Sequence, residues 1–163
     1  MMAHWLFNKV IADRQQFPTA RRIERGVRRM LAWYGLASVS ELPLGNGRCA
    51  DVVGLSQAGE IWIVEIKSSR SDFRADRKWP EYRDYSDRLF FAVAPGFPLQ
   101  ILPEDTGIIV ADRYSGEAVR VAPLHRLTSA RRKAMVLRFA RSAAFQLQAI
   151  KDPAMRLEAP GRD

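Results

Sequence analysis

The sequence predicts an α/β fold in which a mixed β-sheet is flanked by helices. Apolar residues recur at helical spacing near both ends of the 163-residue chain, and short apolar runs bounded by turn residues lie between them. The resulting order of elements is helix, hairpin, strand, helix, strand, which is typical of helices packed on a sheet. A composition of 47% hydrophobic and 27% charged residues is that of an ordinary globular domain.

The first predicted element is a helix that begins after the N-cap Thr19 and ends near Tyr34, before Gly35. One face of this helix should be buried, and its apolar members are Ile23, Val27, Met30, Leu31 and Tyr34. The remaining surface is cationic and is formed by Arg21, Arg25, Arg28 and Arg29. Glu24 differs from both sets because it is acidic and lies near the apolar edge.

A β-hairpin follows, with strands at residues 48–55 and 61–67 joined by a turn at 57–60. The second strand is apolar at nearly every position, which favours a central strand covered on both faces. The rest of the chain divides into a polar loop at 68–75, a short helix at 79–85, a strand at 88–94, a loop at 95–103, strands at 107–112 and 118–122, and a helix from Thr128 to about Ile150.

The chain should form one domain over residues 1–151, with a frayed tail at 152–163. No apolar run approaches the roughly 20 residues that cross a bilayer, and we expect no membrane span and no secretion signal. Cys49, the single cysteine, can build neither a disulfide framework nor a zinc cluster. A reducing compartment, the cytoplasm, is therefore expected.

The net charge of +8 favours a polyanionic partner, although basic domains without one are common. Residues 1–41 hold 7 basic and 3 acidic side chains, residues 125–151 hold 7 basic and none acidic, and residues 42–124 hold 10 basic and 12 acidic. The excess charge therefore lies in two flanking segments around a nearly neutral centre. This layout fits a metal site with basic walls, and it equally fits two solvated helix faces.

The chemistry is predicted to lie on the hairpin. Glu65 and Lys67 are two residues apart on a strand, so their side chains point to one face. Because the strand should otherwise be shielded from water, the two charges need a partner or a ligand. Antiparallel pairing would bring Asp51 beside them. Asp51 and Glu65 can then hold Mg²⁺, for which Mn²⁺ can substitute, and Lys67 can act on the attacking water or offset charge on the phosphate.

Glu24 is a further candidate carboxylate for this cluster. The alternative is a buried salt bridge between Lys67 and a carboxylate, with no ligand. No other group of histidines, cysteines or carboxylates competes, and neither a Gly-rich phosphate loop nor a Ser-His-Asp set is present. His4 and His125 are interpreted as structural or exposed.

The arrangement of Glu24, Asp51 and the run Glu65-Ile66-Lys67 resembles the PD-(D/E)XK nuclease superfamily. More narrowly, most of residues 19–150 resemble the MmcB-like family of bacterial DNA repair endonucleases. The segments that carry this resemblance are Ala50-Asp51-Val52-Val53, Val64-Glu65-Ile66-Lys67-Ser68-Ser69, Lys78-Trp79-Pro80-Glu81-Tyr82 and Phe90-Phe91-Ala92-Val93. Ala50 stands where the superfamily often has proline, which leaves the Asp in place. The resemblance implies a magnesium-dependent DNA endonuclease with a restriction-endonuclease-like core and a role in DNA repair.

Contacts to DNA phosphates are expected from two sets of cationic side chains. The set near the hairpin is Arg70, Arg74 and Lys78, and the set on the two helices is Arg21, Arg25, Arg28, Arg131, Arg132 and Lys133. Trp62, Trp79 and Tyr82 are interpreted as packing residues rather than stacking platforms.

Two functions from different classes therefore compete. The first is a magnesium-dependent endonuclease acting on DNA, and the second is a catalytically silent DNA-binding module that recruits repair or damage-bypass proteins. A purely structural ion pair in an RNA- or ribosome-binding protein is a third interpretation. The pattern leaves oligomeric state open, with a homodimer as one option.

Overall fold

The structure, a computed structural model, describes residues 18–154. Within this range a six-stranded mixed sheet carries helices on both faces, which confirms the predicted α/β class. The helices are α1 (Pro18–Trp33), α2 (Arg70–Ala75) and α3 (Ser129–Lys151), with 3₁₀ turns at Trp79–Tyr85 and Leu99–Ile101. The strands are β1 (Leu36–Pro43), β2 (Cys49–Ser56), β3 (Ile61–Ile66), β4 (Arg88–Val93), β5 (Gly107–Ala111) and β6 (Gly116–Arg120).

The order of strands in the sheet is the order in the chain. The pairs β1–β2, β2–β3 and β5–β6 are antiparallel, whereas β3–β4 and β4–β5 are parallel. The predicted hairpin is the β2–β3 pair, and β3 lies between β2 and β4 as a central strand. Both of its faces are covered, since Ile63 and Val64 are fully buried on opposite sides.

Helices α1 and α3 cover opposite faces of the sheet. Helix α1 packs through Ile23, Val27 and Leu31 into a core that includes Val64 and Ile109. Helix α3 packs through Met135 and Phe139 into a second core that includes Val53, Ile63 and Leu89. We call these two sides of the sheet the α1 face and the α3 face. Apolar burial at this extent on both sides is what fixes the sheet between two layers of helix.

Several predicted elements are corrected by the structure. Strand β1 was not predicted, and the segment predicted as a polar loop at 68–75 contains helix α2. The short helix at 79–85 is a 3₁₀ helix, with Pro80 in its first turn as expected. Tyr34 lies beyond the end of α1 and is exposed rather than buried. The last strand spans Gly116–Arg120, so it begins and ends two residues earlier than predicted.

The Asp87 carboxylate links α3 to the sheet through hydrogen bonds and an ion pair. Its carboxylate accepts hydrogen bonds from the backbone N–H groups of Ile61 and Leu127, at 2.8 and 2.9 Å. The guanidinium of Arg132 binds the same carboxylate through both terminal nitrogens, at 2.6 and 2.7 Å. Burial favours the protonated form of Asp87, but the hydrogen bonds from Arg132, Leu127 and Ile61 outweigh it and hold the pKa below its usual value.

Between residues 18 and 154, no helix is both long and apolar enough to cross a membrane. The N-terminal residues 1–17 and the greater part of the predicted tail, 155–163, lie outside the described residues.

Candidate metal and nucleic-acid site

Asp51 and Glu65 meet across β2 and β3, as the hairpin register predicted. Val52 pairs with Val64, which places the two carboxylate-bearing residues opposite each other at the end of the ladder. The Asp51 N–H donates to Glu65 Oε1 at 3.1 Å, and the Ile66 N–H donates to Asp51 Oδ2 at 2.8 Å. Each carboxylate is therefore held by the backbone of the other strand.

An irregularity in β1 accompanies this pair. The β1–β2 ladder joins Ser40 to Val52 and Leu42 to Ala50 but omits residue 41 opposite Asp51. Glu41 has φ of +54°, a conformation that non-glycine residues seldom adopt. At this irregular position the N–H of Asp51 donates to the Glu65 carboxylate.

Glu65 is 3% exposed and lies on the α3 face, opposite Val64. Burial raises the pKa of Glu65 well above its usual value, and the negative charge of Asp51 raises it further. The positive charge of Lys67 acts in the opposite direction. Two carboxylates held close together in a buried place gain from a bound cation, because it offsets the repulsion between them.

Lys67 is also buried, and its ammonium donates to Asp76 Oδ2 at 2.6 Å. Burial lowers the pKa of Lys67, but the hydrogen bond that its ammonium donates to Asp76 and the charges of Glu65, Asp76 and Asp51 outweigh this effect, so the net pKa is raised. Asp76 was missed in the sequence. It follows α2 directly, and its other oxygen, Oδ1, accepts from the Lys78 N–H at 3.1 Å.

Helix α2 positions Asp76. Ser69 caps the helix by accepting from the Asp72 N–H at 3.1 Å, and Asp72 accepts from the Ser68 N–H at 2.9 Å. The six-residue helix therefore begins directly after β3 and returns the chain toward Lys67. Its Phe73 ring packs edge-on against Phe91 of β4, which holds the helix over the α3 face.

Tyr82 forms one wall of the site. It is buried in the core on the α3 face, and its hydroxyl donates to the Cys49 carbonyl at 3.1 Å. Burial raises the pKa of Tyr82, and the charges of Glu65, Asp51 and Asp76 raise it further. The packing interpretation of Tyr82 is confirmed.

Glu24 is held away from the two carboxylates. Its Oε1 accepts a hydrogen bond from the Ser40 hydroxyl and lies 4.0 Å from Arg28 Nη1. Among residues 18–154, no three histidine, cysteine, aspartate or glutamate side chains are grouped closely enough to hold a metal ion. Glu24, Asp51 and Glu65 thus do not form a preassembled three-carboxylate site, which corrects the expectation that Glu24 joins the cluster in this conformation.

Asp51 and Glu65 nevertheless fit Mg²⁺ by their chemistry. Magnesium commonly takes only one or two carboxylates from a protein and completes its octahedral shell with water and phosphate oxygens. The pair supplies that number of hard oxygen donors. A third protein carboxylate is not required by this mode of binding.

Cationic side chains of α2 and α3 are exposed on the α3 face. Arg70 and Arg74 of α2 and Lys78 after it are exposed, as is Lys133 of α3. Arg131 of α3 is also exposed and its guanidinium lies over the Tyr85 ring at 4.5 Å.

Arg132, another predicted phosphate contact, is bound within the protein. Its guanidinium is committed to Asp87 and to the Gly59 carbonyl, with an ion-pair distance of 2.6 Å. Its raised pKa follows from the hydrogen bond with Asp87, which outweighs the effect of burial. Arg132 is therefore a structural residue that holds α3 to the sheet.

Helix α1 carries Arg21 and Arg25 on its exposed surface, but on the opposite side of the sheet from Glu65. These arginines do not line the same site. Arg28 is bound to Ser38 Oγ at 3.1 Å. Trp62 stacks on Phe90 at 4.7 Å, and Trp79 packs edge-on against Phe91 at 5.4 Å, so both tryptophans have the packing role expected for them.

The chain is similar to a known protein family and to a solved structure. A family model described as "DNA repair protein MmcB-like" matches residues 7–154. Among solved structures, the SPO1766 protein of unknown function from Silicibacter pomeroyi is similar to the chain, with 45% sequence identity and a TM-score of 0.82. The alignment covers 86% of this chain and 97% of that one. No curated protein gives a significant match.

Proposed function

Since the chain belongs to the MmcB-like family of DNA repair proteins, we propose that it is a magnesium-dependent endonuclease of the PD-(D/E)XK type that hydrolyses DNA phosphodiesters during repair. The observation that carries this proposal is the cross-strand pair of Asp51 and Glu65 beside the buried ammonium of Lys67. A mixed sheet with flanking helices is consistent with that nuclease fold.

Each of the three residues has a distinct role in the proposal. Asp51 and Glu65 would hold Mg²⁺, which when bound supplies a polarised water and positive charge at the phosphate. Lys67 is presented as an ammonium by its ion pair with Asp76. It stabilises the negative charge that develops on the phosphate oxygens during attack. Asp76 is a positioning residue, because it acts through Lys67.

The exposed cations on the α3 face would hold the DNA backbone. Arg70, Arg74, Lys78, Arg131 and Lys133 can contact phosphates without reading sequence. Such contacts give affinity that falls as salt rises. This arrangement favours recognition of a DNA structure or repair intermediate over cleavage at a defined sequence.

A second candidate function is favoured by one pair of observations. Lys67 is paired with Asp76, and no group of three metal-binding side chains occurs among the described residues. Both features would also suit a catalytically silent module that binds DNA and recruits repair proteins. The two functions differ in whether Asp51 and Lys67 are needed for a chemical step.

The deciding experiment measures nicking of supercoiled, gapped, flapped and branched DNA with Mg²⁺ or Mn²⁺. Native protein is compared with Asp51→Asn and Lys67→Ala, and with a chelated sample. The matched controls are Asp84→Asn and Lys151→Ala, which make the same changes of charge at exposed positions. We expect cleavage to fall by at least about 100-fold in both site variants, the size of effect seen when a charge-stabilising group is removed.

Calorimetric titration with Mg²⁺ separates the two functions further. Binding that is lost in Asp51→Asn and kept in Asp84→Asn supports the metal site. Tight DNA binding without cleavage on any substrate, together with no Asp51-dependent Mg²⁺ binding, would reject the nuclease in favour of the recruiting module.

A further inference from the structure

The α1 face of the molecule presents an exposed aromatic pair. Trp33, the last residue of α1, is 87% exposed, and Tyr114 in the β5–β6 turn is 59% exposed. Tryptophan is usually well buried in a folded domain, so exposure at this level indicates a surface with a binding role.

The packing of α1 sets the β5–β6 turn against the side of the helix that carries Trp33. Gly26 contacts the β5–β6 turn so closely that a side chain there would overlap the carbonyl oxygens of Asp112 and Ser115. Three residues later, Arg29 donates to the Tyr114 carbonyl at 3.1 Å. Trp33 follows Arg29 by one helical turn and so lies on the same side of the helix.

Arginines surround this pair. The Arg113 guanidinium lies over the Tyr114 ring, 4.6 Å from the ring centroid. Arg29 of α1 binds the Tyr114 carbonyl. Most of the exposed residues of α1 before Trp33 are arginines, namely Arg21, Arg22, Arg25, Arg28 and Arg29. Two carboxylates lie beside these arginines: Glu24 is 4.0 Å from Arg28 and accepts from the Ser40 hydroxyl, and Asp112 accepts from the N–H groups of Tyr114 and Ser115 at 2.7 and 3.0 Å.

The surface lies opposite the proposed nuclease site. Glu65 and Lys67 are on the α3 face, whereas α1 packs over Val64 on the other side of the sheet. A duplex that lies across the site cannot at the same time cover Trp33 and the α1 arginines. This second surface therefore needs its own ligand.

Aromatic rings among guanidinium groups are suited to unpaired bases. Every base can stack on an aromatic ring, and the arginines can track the phosphates between successive bases. A second copy of this chain is a poor ligand for the surface. A two-fold interface would place one arginine-covered helix against another, and like charges repel.

We propose that Trp33 and Tyr114, together with the α1 arginines, form a binding surface for single-stranded DNA that is separate from the Asp51–Glu65 site. On a gapped or flapped repair intermediate, this surface would hold the unpaired strand while the α3 face contacts the duplex. The inference extends the proposed function by adding a class of substrate, and the surface itself does not depend on metal or cleavage.

The test is the fluorescence anisotropy of a short labelled oligothymidylate titrated with protein in the presence of EDTA. Trp33→Ala should weaken binding by about tenfold, and Trp33→Phe should keep most of the affinity because phenylalanine also stacks. The matched control is Ile150→Ala, since Ile150 is 76% exposed on α3. Binding of a blunt duplex should change by less than about twofold in all three variants, because paired bases cannot reach the ring.

Two results would overturn the inference. One is single-strand affinity that is the same in Trp33→Ala and native protein. The other is a native dimer that Trp33→Ala converts to a monomer in light scattering, which would assign the ring to a protein interface. Because EDTA is present throughout, failure here leaves the nuclease proposal standing, and failure of the nicking experiment leaves this one standing.

Discussion

Two ion pairs in the molecule share an N–O distance of 2.6 Å but differ in environment. Lys67 and Asp76 have side chains that are 6% and 21% exposed, whereas those of Arg83 and Asp105 are 23% and 63% exposed. An exposed pair is screened by water and contributes little to stability, while a buried group that loses its partner is left with an uncompensated charge.

Replacing the acid in each pair therefore gives a test at the scale of single residues. Asp76→Asn should lower the free energy of unfolding by about 1.5–3 kcal/mol, the range for hydrogen bonds that involve charged groups. Asp105→Asn should lower it by less than about 1 kcal/mol. Urea unfolding of the two variants at neutral pH measures the difference, and equal losses would show that the burial of Lys67 has no energetic consequence.

The sequence identified Asp51, Glu65 and Lys67 because charged residues on an apolar strand require an explanation. Asp76 carries no such signal, since it lies among the many charges of residues 70–78. Its contact with Lys67 depends on the path of the chain after α2, which short-range patterns do not determine. The hydrogen bond between Glu24 and Ser40 likewise depends on β1, an element that the sequence did not reveal.

At the scale of elements, Gly26 sets the distance between α1 and the β5–β6 turn. Alanine normally stabilises a helix interior relative to glycine by about 1 kcal/mol. Here the added methyl group would overlap two backbone carbonyl oxygens, which cannot rotate away as a side chain can.

Gly26→Ala should therefore destabilise the protein, by about 1–3 kcal/mol as for other overpacked positions. Gly45→Ala is the control, because the nearest atom to its new methyl group would be Arg138 Nη2 at 3.5 Å. That variant should change stability by less than about 1 kcal/mol. Thermal unfolding distinguishes the two, and a stabilised Gly26→Ala would contradict the close packing described for α1.

The elements that the sequence missed are those with weak patterns. Strand β1 contains Ser38, Ser40, Glu41 and Pro43, which interrupt its alternation of apolar residues. Helix α2 has six residues and buries none of them fully, so it shows no helical periodicity. Its only sign was Ser69 followed three residues later by Asp72, the spacing of an N-terminal cap. The longer, more regular helices were predicted more closely: α3 agrees to within one residue at each end, whereas α1 begins at Pro18 and so includes Thr19, which was predicted to be its N-cap.

At the scale of the whole molecule, Asp87 joins β3, the segment before α3 and α3 itself. Its pKa is lowered in the folded state, so the unfolded state binds protons more readily. The stability that this carboxylate contributes is complete above its unfolded pKa, about 3.9, and is lost as the pH falls through the lower folded pKa.

A comparison of native protein with Asp87→Asn isolates this effect from other titrating groups. At neutral pH the variant should be less stable by on the order of 3 kcal/mol, the cost of removing one partner from a buried ion pair. This difference in unfolding free energy between the two proteins should narrow as the pH falls below about 4. Urea unfolding over a pH series measures the difference. A difference that stays constant down to the lowest pH at which both proteins fold would be inconsistent with stabilisation by the ionised Asp87 carboxylate.

The sequence predicted the two basic segments but not where they lie relative to each other. Both are amphipathic helices, and the pattern of a helix gives the direction of its own buried face only. Which side of the sheet each helix covers depends on the connections between strands. The structure places α1 and α3 on opposite faces, which is why the arginines of α1 do not line the site formed by Glu65 and Lys67.

The agreement between strand order and chain order also bears on how the protein folds. Each strand pairs with the strand that precedes it, so no pairing waits for a strand made later in the chain, and the sheet can grow as the chain leaves the ribosome. Helix α3 comes last and reaches back to the first strand, where Gln146 donates to the Ser40 carbonyl at 2.9 Å. Completion of the fold during synthesis therefore waits for the C-terminal helix.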